Sequence, residues 1–170
     1  MVQVLILMGS DSDAPIMSAA GEVMTELGVT WDMTVASAHR SPARVMRLIA
    51  EAPGRGVRVF VVGAGAAAHL AGVVAAHTTL PVIGVPIDSS ALKGLDALLS
   101  TVQMPPGVPV ATVAIGRGGA ENAAILAAQM LSLKSRALRQ RLERFKAELA
   151  QSVEGKNLRL QRKLFPDLAE

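Results

Sequence analysis

The chain contains no cysteine. Disulfides, thiolate nucleophiles and thiolate metal ligands are therefore excluded, although no compartment follows from that alone. Aromatic residues are nearly as scarce, at 2%, with one tryptophan, three phenylalanines and no tyrosine. So few rings argue against a flavin site and against a stacking platform for nucleic-acid bases. No stretch reaches the eighteen or so uncharged apolar residues that a membrane-spanning helix requires. Val2–Met8 is apolar, but it is short and lacks a basic lead and a cleavage site, so it does not read as a signal sequence. The three histidines are scattered, which leaves no cluster with metal-ligand spacing. Walker, G-x-S-x-G and H-E-x-x-H patterns are missing as well. What is present is 170 residues, 51% of them hydrophobic, with a mean hydropathy of +0.39. Alanine, valine, leucine, isoleucine and methionine must build the core. The length suits a single domain over 1–170, with a body at 1–133 and a C-terminal helix and tail at 134–170.

The net charge of +3 is unevenly placed. Residues 134–170 hold ten Lys/Arg against five Asp/Glu, and residues 1–133 hold seven against nine. The basic character thus belongs to the C-terminal segment. Its cations alternate with Glu143 and Glu148 in helical fashion, and no aromatics interleave. That pattern fits a solvated helix face better than a nucleic-acid contact.

Apolar runs of strand length alternate with helix-length segments. Val2–Met8, 30–36, 57–62, 82–85 and 109–115 read as strands. Residues 14–27, 42–52, 66–76 and a stretch near 91–101 read as helices. One long helix or two follow from Ala120 to Leu149, and 155–170, with Gly155 and Pro166, reads as extended or irregular. Five alternations with short connections imply an α/β fold, a parallel sheet covered by helices on both faces. In such sheets ligands bind beyond the C-terminal strand ends. Three chemically suggestive junctions fall there.

The first is Gly9-Ser10-Asp11-Ser12-Asp13-Ala14-Pro15. Its serines and free amides suit an anion at a helix start, while Ser12 or Asp13 could equally do no more than cap that helix. Two carboxylates would repel a phosphate. Asp13 is therefore the candidate for sugar hydroxyls, with Asp11 turned to solvent. The second is Ser37-Ala38-His39-Arg40-Ser41-Pro42. His39 can move a proton near neutral pH, and Arg40 can grip a phosphate with a planar fork. Pro42 suits a first helical turn. The bland alternative is an exposed histidine before a helix. The third is Gly63–Gly72 (GAGAAAHLAG), small enough for backbone to line a compact pocket. It fits the loose G-x-G-x-x-A dinucleotide pattern, with Asp88 further on, but that pattern normally follows a first strand, not a third. His69 fits either a donor in that pocket or a buried helix residue. His77 reads as surface. Spacing and composition alone reach a phosphorylated-metabolite enzyme with a histidine acid/base.

Met8–Asp13 (MGSDSD), Ser37–Pro42 (SAHRSP), Gly63–Gly72, Leu80–Pro86 (LPVIGVP), Val102–Pro109 (VQMPPGVP) and Ala114–Ala124 (AIGRGGAENAA) occur in this order. Together they closely resemble the bacterial PurE family, the 5-(carboxyamino)imidazole ribonucleotide mutases of de novo purine synthesis, over roughly residues 3–133. The resemblance implies a flavodoxin-like three-layer αβα sandwich, assembled as a homo-octamer in the cytoplasm. It implies a small ribonucleotide as partner, with no nucleic acid, no membrane, no metal and no cofactor. His39 would be the proton carrier. Substrate contacts would fall on Ser10, Asp13 and Arg40, with Ser12, Ser37 and Ala38 adjacent. Gly65, Ala66, His69 and Leu70 would help enclose the carboxyl group or carbon dioxide.

The SAHR and AAHL forms resemble the mutase class. The related aminoimidazole ribonucleotide carboxylases, which use free carbon dioxide, are one alternative. A flavodoxin-like protein that binds a nucleotide without catalysis is another. The chain departs from the family pattern at Ala66, usually glycine, and at Ala71, usually proline. Lys93 and Arg117-Gly118 are further departures. The tail is expected to pack on a neighbouring subunit.

Overall fold

Val4–Met8 (β1) is buried along its whole length. Its residues alternate between two cores, as pleating demands. Val4, Ile6 and Met8 face one helical layer, and Leu5 and Leu7 face the other. A strand covered on both sides must be apolar at every position, which is why this run does not alternate with polar residues. The computed structural model that shows this describes residues 1–165.

Trp31–Val35 (β2), Val59–Gly65 (β3), Val82–Ile87 (β4) and Ala111–Thr112 (β5) complete a five-stranded sheet. Every pairing is parallel, and the order is β2-β1-β3-β4-β5. Ala14–Glu26 (α1) and Arg117–Ser132 (α5) cover one face, packing on Ile6, Val61, Ile83 and Val85. Pro42–Glu51 (α2), Leu70–Ala76 (α3) and Leu95–Val102 (α4) lie with the other core, around Leu5, Phe60 and Val62. The α5 face is nearly all alanine, with Ala120, Ala123, Ala124, Ala127 and Ala128 fully buried. Small side chains let α5 approach the sheet and α1 closely, so a core poor in aromatics still fills its volume. Gly119 shows how tight the approach is: a Cβ there would stand 1.7 Å from the Ala114 carbonyl oxygen.

The chain runs outward from β1 to β2 and then returns past β1 to β3. The C-terminal ends of β1 and β3 are therefore neighbours whose connections leave in different directions. That divergence opens the crevice where parallel sheets hold ligands.

Several boundaries differ from the sequence reading. β3 extends to Gly65, so Gly63-Ala64-Gly65 is strand and not loop. α3 starts at Leu70 instead of residue 66, because Ala66 and Ala68 have φ of +51° and +37°, which no right-handed helix admits. α4 starts at Leu95, since Lys93 and Gly94 also have positive φ. β5 is reduced to two residues at the sheet edge. The expected helical region from Ala120 to Leu149 is two helices, α5 and Arg136–Leu164 (α6), separated by a turn in which Ser135 caps Leu138.

The segment expected to be extended or irregular from residue 155 is helical as far as Leu164, with α6 continuing through Gly155. One interior glycine costs about 1 kcal/mol relative to alanine, and the surrounding Leu, Arg, Lys, Gln and Glu are all strong helix formers. Pro166 lies outside the described residues. Leu138 and Leu142 anchor the foot of α6 in the first core, and Arg141 Nε donates to the Leu27 carbonyl at 2.6 Å. No helix among the described residues is long and apolar enough to cross a membrane.

Candidate active site

The crevice at the ends of β1 and β3 is a cavity of about 300 Å³. Three chain segments wall it, and they are the three junctions picked out from the sequence. Gly9 to Asp13 arrive from β1, Ser37 to Arg40 from β2, and Ala64 to Leu70 from β3. Ser89, after β4, closes the fourth side.

The first segment is held by a reciprocal cap. Ser10 Oγ accepts the Ser12 amide at 3.4 Å, and Asp13 Oδ2 accepts the Ser10 amide at 3.0 Å. Asp13 thus takes part in capping the short turn Asp11–Asp13, makes no side-chain cap to α1 itself, and also lines the cavity. Its residue is 5% exposed. Burial pushes its carboxyl above the ordinary aspartate range, opposed by the Ser10 and Gly9 amides and by the Arg40 charge, while Asp11 adds to the rise. Asp11 is exposed, as expected. Ser12 Oγ donates to Ser10 Oγ at 2.9 Å, so the two hydroxyls form one short chain.

Pro42 opens α2 at its first position, and Ser41 precedes it. The turn before it is fixed by Ser37, whose Oγ accepts the Arg40 amide at 3.2 Å. Arg40 Nη2 donates to the Gly9 carbonyl at 3.0 Å, tying the second segment to the first. A guanidinium has five N–H donors, so this tie leaves others for an anion in the cavity. Ala38 lies between these polar residues and lines the same wall.

His39 Nε2 is hydrogen-bonded to His69 Nδ1. The rings meet edge to face, 77° between planes and 4.7 Å between centroids. One nitrogen must carry the proton and the other the lone pair, so the contact survives only while the two rings are not both fully protonated. Two exposed imidazoles hydrogen-bonded to each other in a cavity can supply an acid and a base side by side. His69 is not the buried helix residue: it is exposed, precedes α3, and itself lines the cavity, where its ring is hydrogen-bonded to His39. His77 is exposed and bonds the Val73 carbonyl at 2.8 Å, outside this cavity.

Gly65, Ala66 and Leu70 line the third wall. The Ala68 amide donates to the Gly65 carbonyl at 3.1 Å and closes the turn that swings the chain from β3 to His69. All eleven residues singled out from the sequence line one cavity. Ser89 is the residue that sequence reasoning missed. It stands alone in a loop with no histidine or arginine beside it, and only the β3–β4 pairing brings it next to Gly65.

Comparison with known proteins bears on the family and the fold. A family model described as AIR carboxylase matches residues 3–152. The N5-carboxyaminoimidazole ribonucleotide mutase of Pyrococcus horikoshii is 50% identical, over 92% of this chain and 87% of its own. That of Thermotoga maritima is 48% identical, over 95% and 93%. The crystal structure of Treponema denticola PurE superposes with a TM-score of 0.84 at 27% identity, covering 95% of this chain and 100% of that one. With the same fold, and half of its residues shared along nearly its whole length, this chain belongs to the AIR carboxylase family.

Proposed function

We infer that this chain converts N5-carboxyaminoimidazole ribonucleotide to the 4-carboxy-5-aminoimidazole isomer, the carboxyl-shifting step of purine biosynthesis. Relatives at about half identity over nearly the whole chain carry the mutase name, and that single observation selects this activity within the family.

The cavity residues suit the chemistry the conversion requires. The N–C bond of the carboxyamino group breaks, its electron pair stays on nitrogen, and nitrogen takes up one proton. Ring carbon four then attacks the freed carbon dioxide and loses its hydrogen as a proton. One proton is taken and one returned, so a single residue that gives and then accepts is sufficient. We assign that role to His39. The His39–His69 contact supports this, because it gives His39 a partner that can hold a proton between the two halves of the step.

Binding would be divided between opposite walls. Arg40, Ser10, Ser12 and Ser37 would hold the phosphate, and Asp13 would accept from a ribose hydroxyl, with Ala38 packing beside the ring. Anchoring the remote phosphate positions the ring. Gly65, Ala66, His69 and Leu70 would enclose the carbon dioxide, and a small apolar enclosure keeps it beside the ring carbon.

The protein would work as a cytoplasmic homo-octamer. Leu95, Leu99 and Val102 repeat at helical spacing along α4 and are 53%, 49% and 48% exposed, with Leu92 beside them at 62%. That apolar stripe supports burial between subunits. Sedimentation at eight times the 17.7 kDa protomer mass is the expected result. The basic residues of α6 are assigned to a solvated face, not to nucleic acid.

The activity is tested with two substrates. Conversion of the carboxyamino ribonucleotide without ATP or added bicarbonate is expected. Product formed only from aminoimidazole ribonucleotide and high bicarbonate would make the chain a carboxylase instead.

A further inference from the structure

The serine hydroxyls of the cavity are not alike. Ser12 donates to Ser10, Ser10 donates to Asp11 at 3.1 Å, and Ser37 accepts the Arg40 amide. Ser89 lines the same cavity, but its hydroxyl makes no hydrogen bond to any described residue.

Its position is built for. A Cβ on Gly65 would fall 1.8 Å from Ser89 Oγ and 2.9 Å from Ser89 Cβ. The Ile87 carbonyl oxygen would be 3.2 Å away. Gly65 does not have the positive φ that would otherwise call for glycine. The last residue of β3 is therefore bare because the Ser89 side chain occupies the space above it. Gly65↔Ile87 is also the final pair of the β3–β4 ladder, so the strand that carries Ser89 is fixed against the strand that carries Gly65.

Sheet order places Ser89 on the β3–β4 side of the cavity, with Gly65 and the turn leading to His69. The phosphate-binding candidates Ser10, Ser12 and Arg40 come from the β1 and β2 side. The Ala66-to-Ala68 turn presents only methyl groups as side chains, which can exclude water but cannot orient a carboxyl oxygen. Resting on the activity inferred above, we propose that Ser89 is a substrate contact for the carboxyl group in transit. Its hydroxyl donates to one oxygen of the carboxyl group, first as carbon dioxide and then as the new carboxylate. The proton stays on Ser89 Oγ throughout, and no bond to the protein forms. The contact holds the carbon toward ring carbon four and opposes escape of carbon dioxide.

The test is a partition measurement on the full chain. Wild type, Ser89→Ala and Ser89→Thr are given N5-carboxyaminoimidazole ribonucleotide, and both the 4-carboxy product and released aminoimidazole ribonucleotide are quantified above the enzyme-free rate. Ser89→Ala is expected to raise released aminoimidazole ribonucleotide per product formed by about threefold to tenfold, the effect of one hydrogen bond, with KM unchanged. Ser89→Thr, which keeps the hydroxyl, is expected to restore the wild-type ratio. A merely structural serine would lower the overall rate without moving the ratio. If Ser89→Ala loses its thermal unfolding transition, Ser89→Cys is read in its place with the same expectation. Wild-type conversion with an unchanged ratio in the alanine variant overturns the Ser89 assignment alone. No conversion by wild type overturns the activity as well.

Discussion

Ala66 and Ala68 flank a turn in which glycine would be the ordinary choice. Both have positive φ, +51° and +37°. An L-residue in the left-handed region carries a penalty of about 1–2 kcal/mol. Replacing Ala66 by glycine removes that penalty but frees the unfolded chain, which costs about 0.4–1 kcal/mol. Ala66 is exposed, so no packing is lost. The balance favours Ala66→Gly by about 0.8 kcal/mol, or roughly 2–3 °C in Tm for a chain of this size. Ala68 has the same backbone problem and a different environment, being 3% exposed within the core around Leu70 and Val74. Losing its methyl group forfeits about another 0.8 kcal/mol of burial, so Ala68→Gly should come out near neutral. Urea unfolding of both variants checks this, at one fixed protomer concentration because assembly shifts apparent stability. Ala66→Gly destabilising by about 1 kcal/mol or more, or Ala68→Gly emerging as the more stable of the two, would refute the strain argument.

Three other perturbations have worked outcomes. Gly119→Ala places a methyl 1.7 Å from a backbone oxygen that cannot swing aside, so it should destabilise by about 3 kcal/mol and lower Tm by roughly 6–12 °C in a thermal scan. Asp13 is raised by burial, so the stability it contributes is present below the ordinary value of 3.8 and is lost as pH rises through its folded value. The stability difference between wild type and Asp13→Asn, followed by urea unfolding, should therefore shrink with rising pH across that window. Arg40→Lys keeps the charge but loses the planar fork, and should raise KM for the ribonucleotide about tenfold to a hundredfold with a smaller effect on kcat. Steady-state kinetics would show it.

Much of the fold could be read from the sequence, for one physical reason. A parallel sheet buried on both faces leaves continuous apolar runs, and β1, β3 and β4 announce themselves that way. The failures have causes as specific. Alanine favours helices, so Ala66–Ala68 read as the start of α3, and nothing in three alanines reveals a positive φ that the neighbouring strand and helix impose. Gly155 reads as a helix end, but no tertiary contact competes with the strong helix formers around it. The candidate site was legible because three junctions that meet at one cavity carry His39, Arg40, Ser10, Asp13 and His69, residue types with recognisable chemistry. The His39–His69 contact itself was not, since the two lie thirty positions apart and meet only through the β1–β3 crevice. Ser89 was invisible for the opposite reason: a serine in a loop has no chemical signature until Gly65 is seen to make room for it.

The central claim is that His39 carries the proton that lets the carboxyl group move from nitrogen to carbon. The direct measurement is the initial rate of conversion of N5-carboxyaminoimidazole ribonucleotide by wild type and by His39→Asn, without ATP, metal or bicarbonate, each with its melting curve taken as a control of fold. Loss of one positioned acid/base predicts a rate lower by about a hundredfold to ten-thousandfold in a variant that melts like wild type. A well-folded His39→Asn within about threefold of wild type would contradict the assignment and move the proton chemistry to His69.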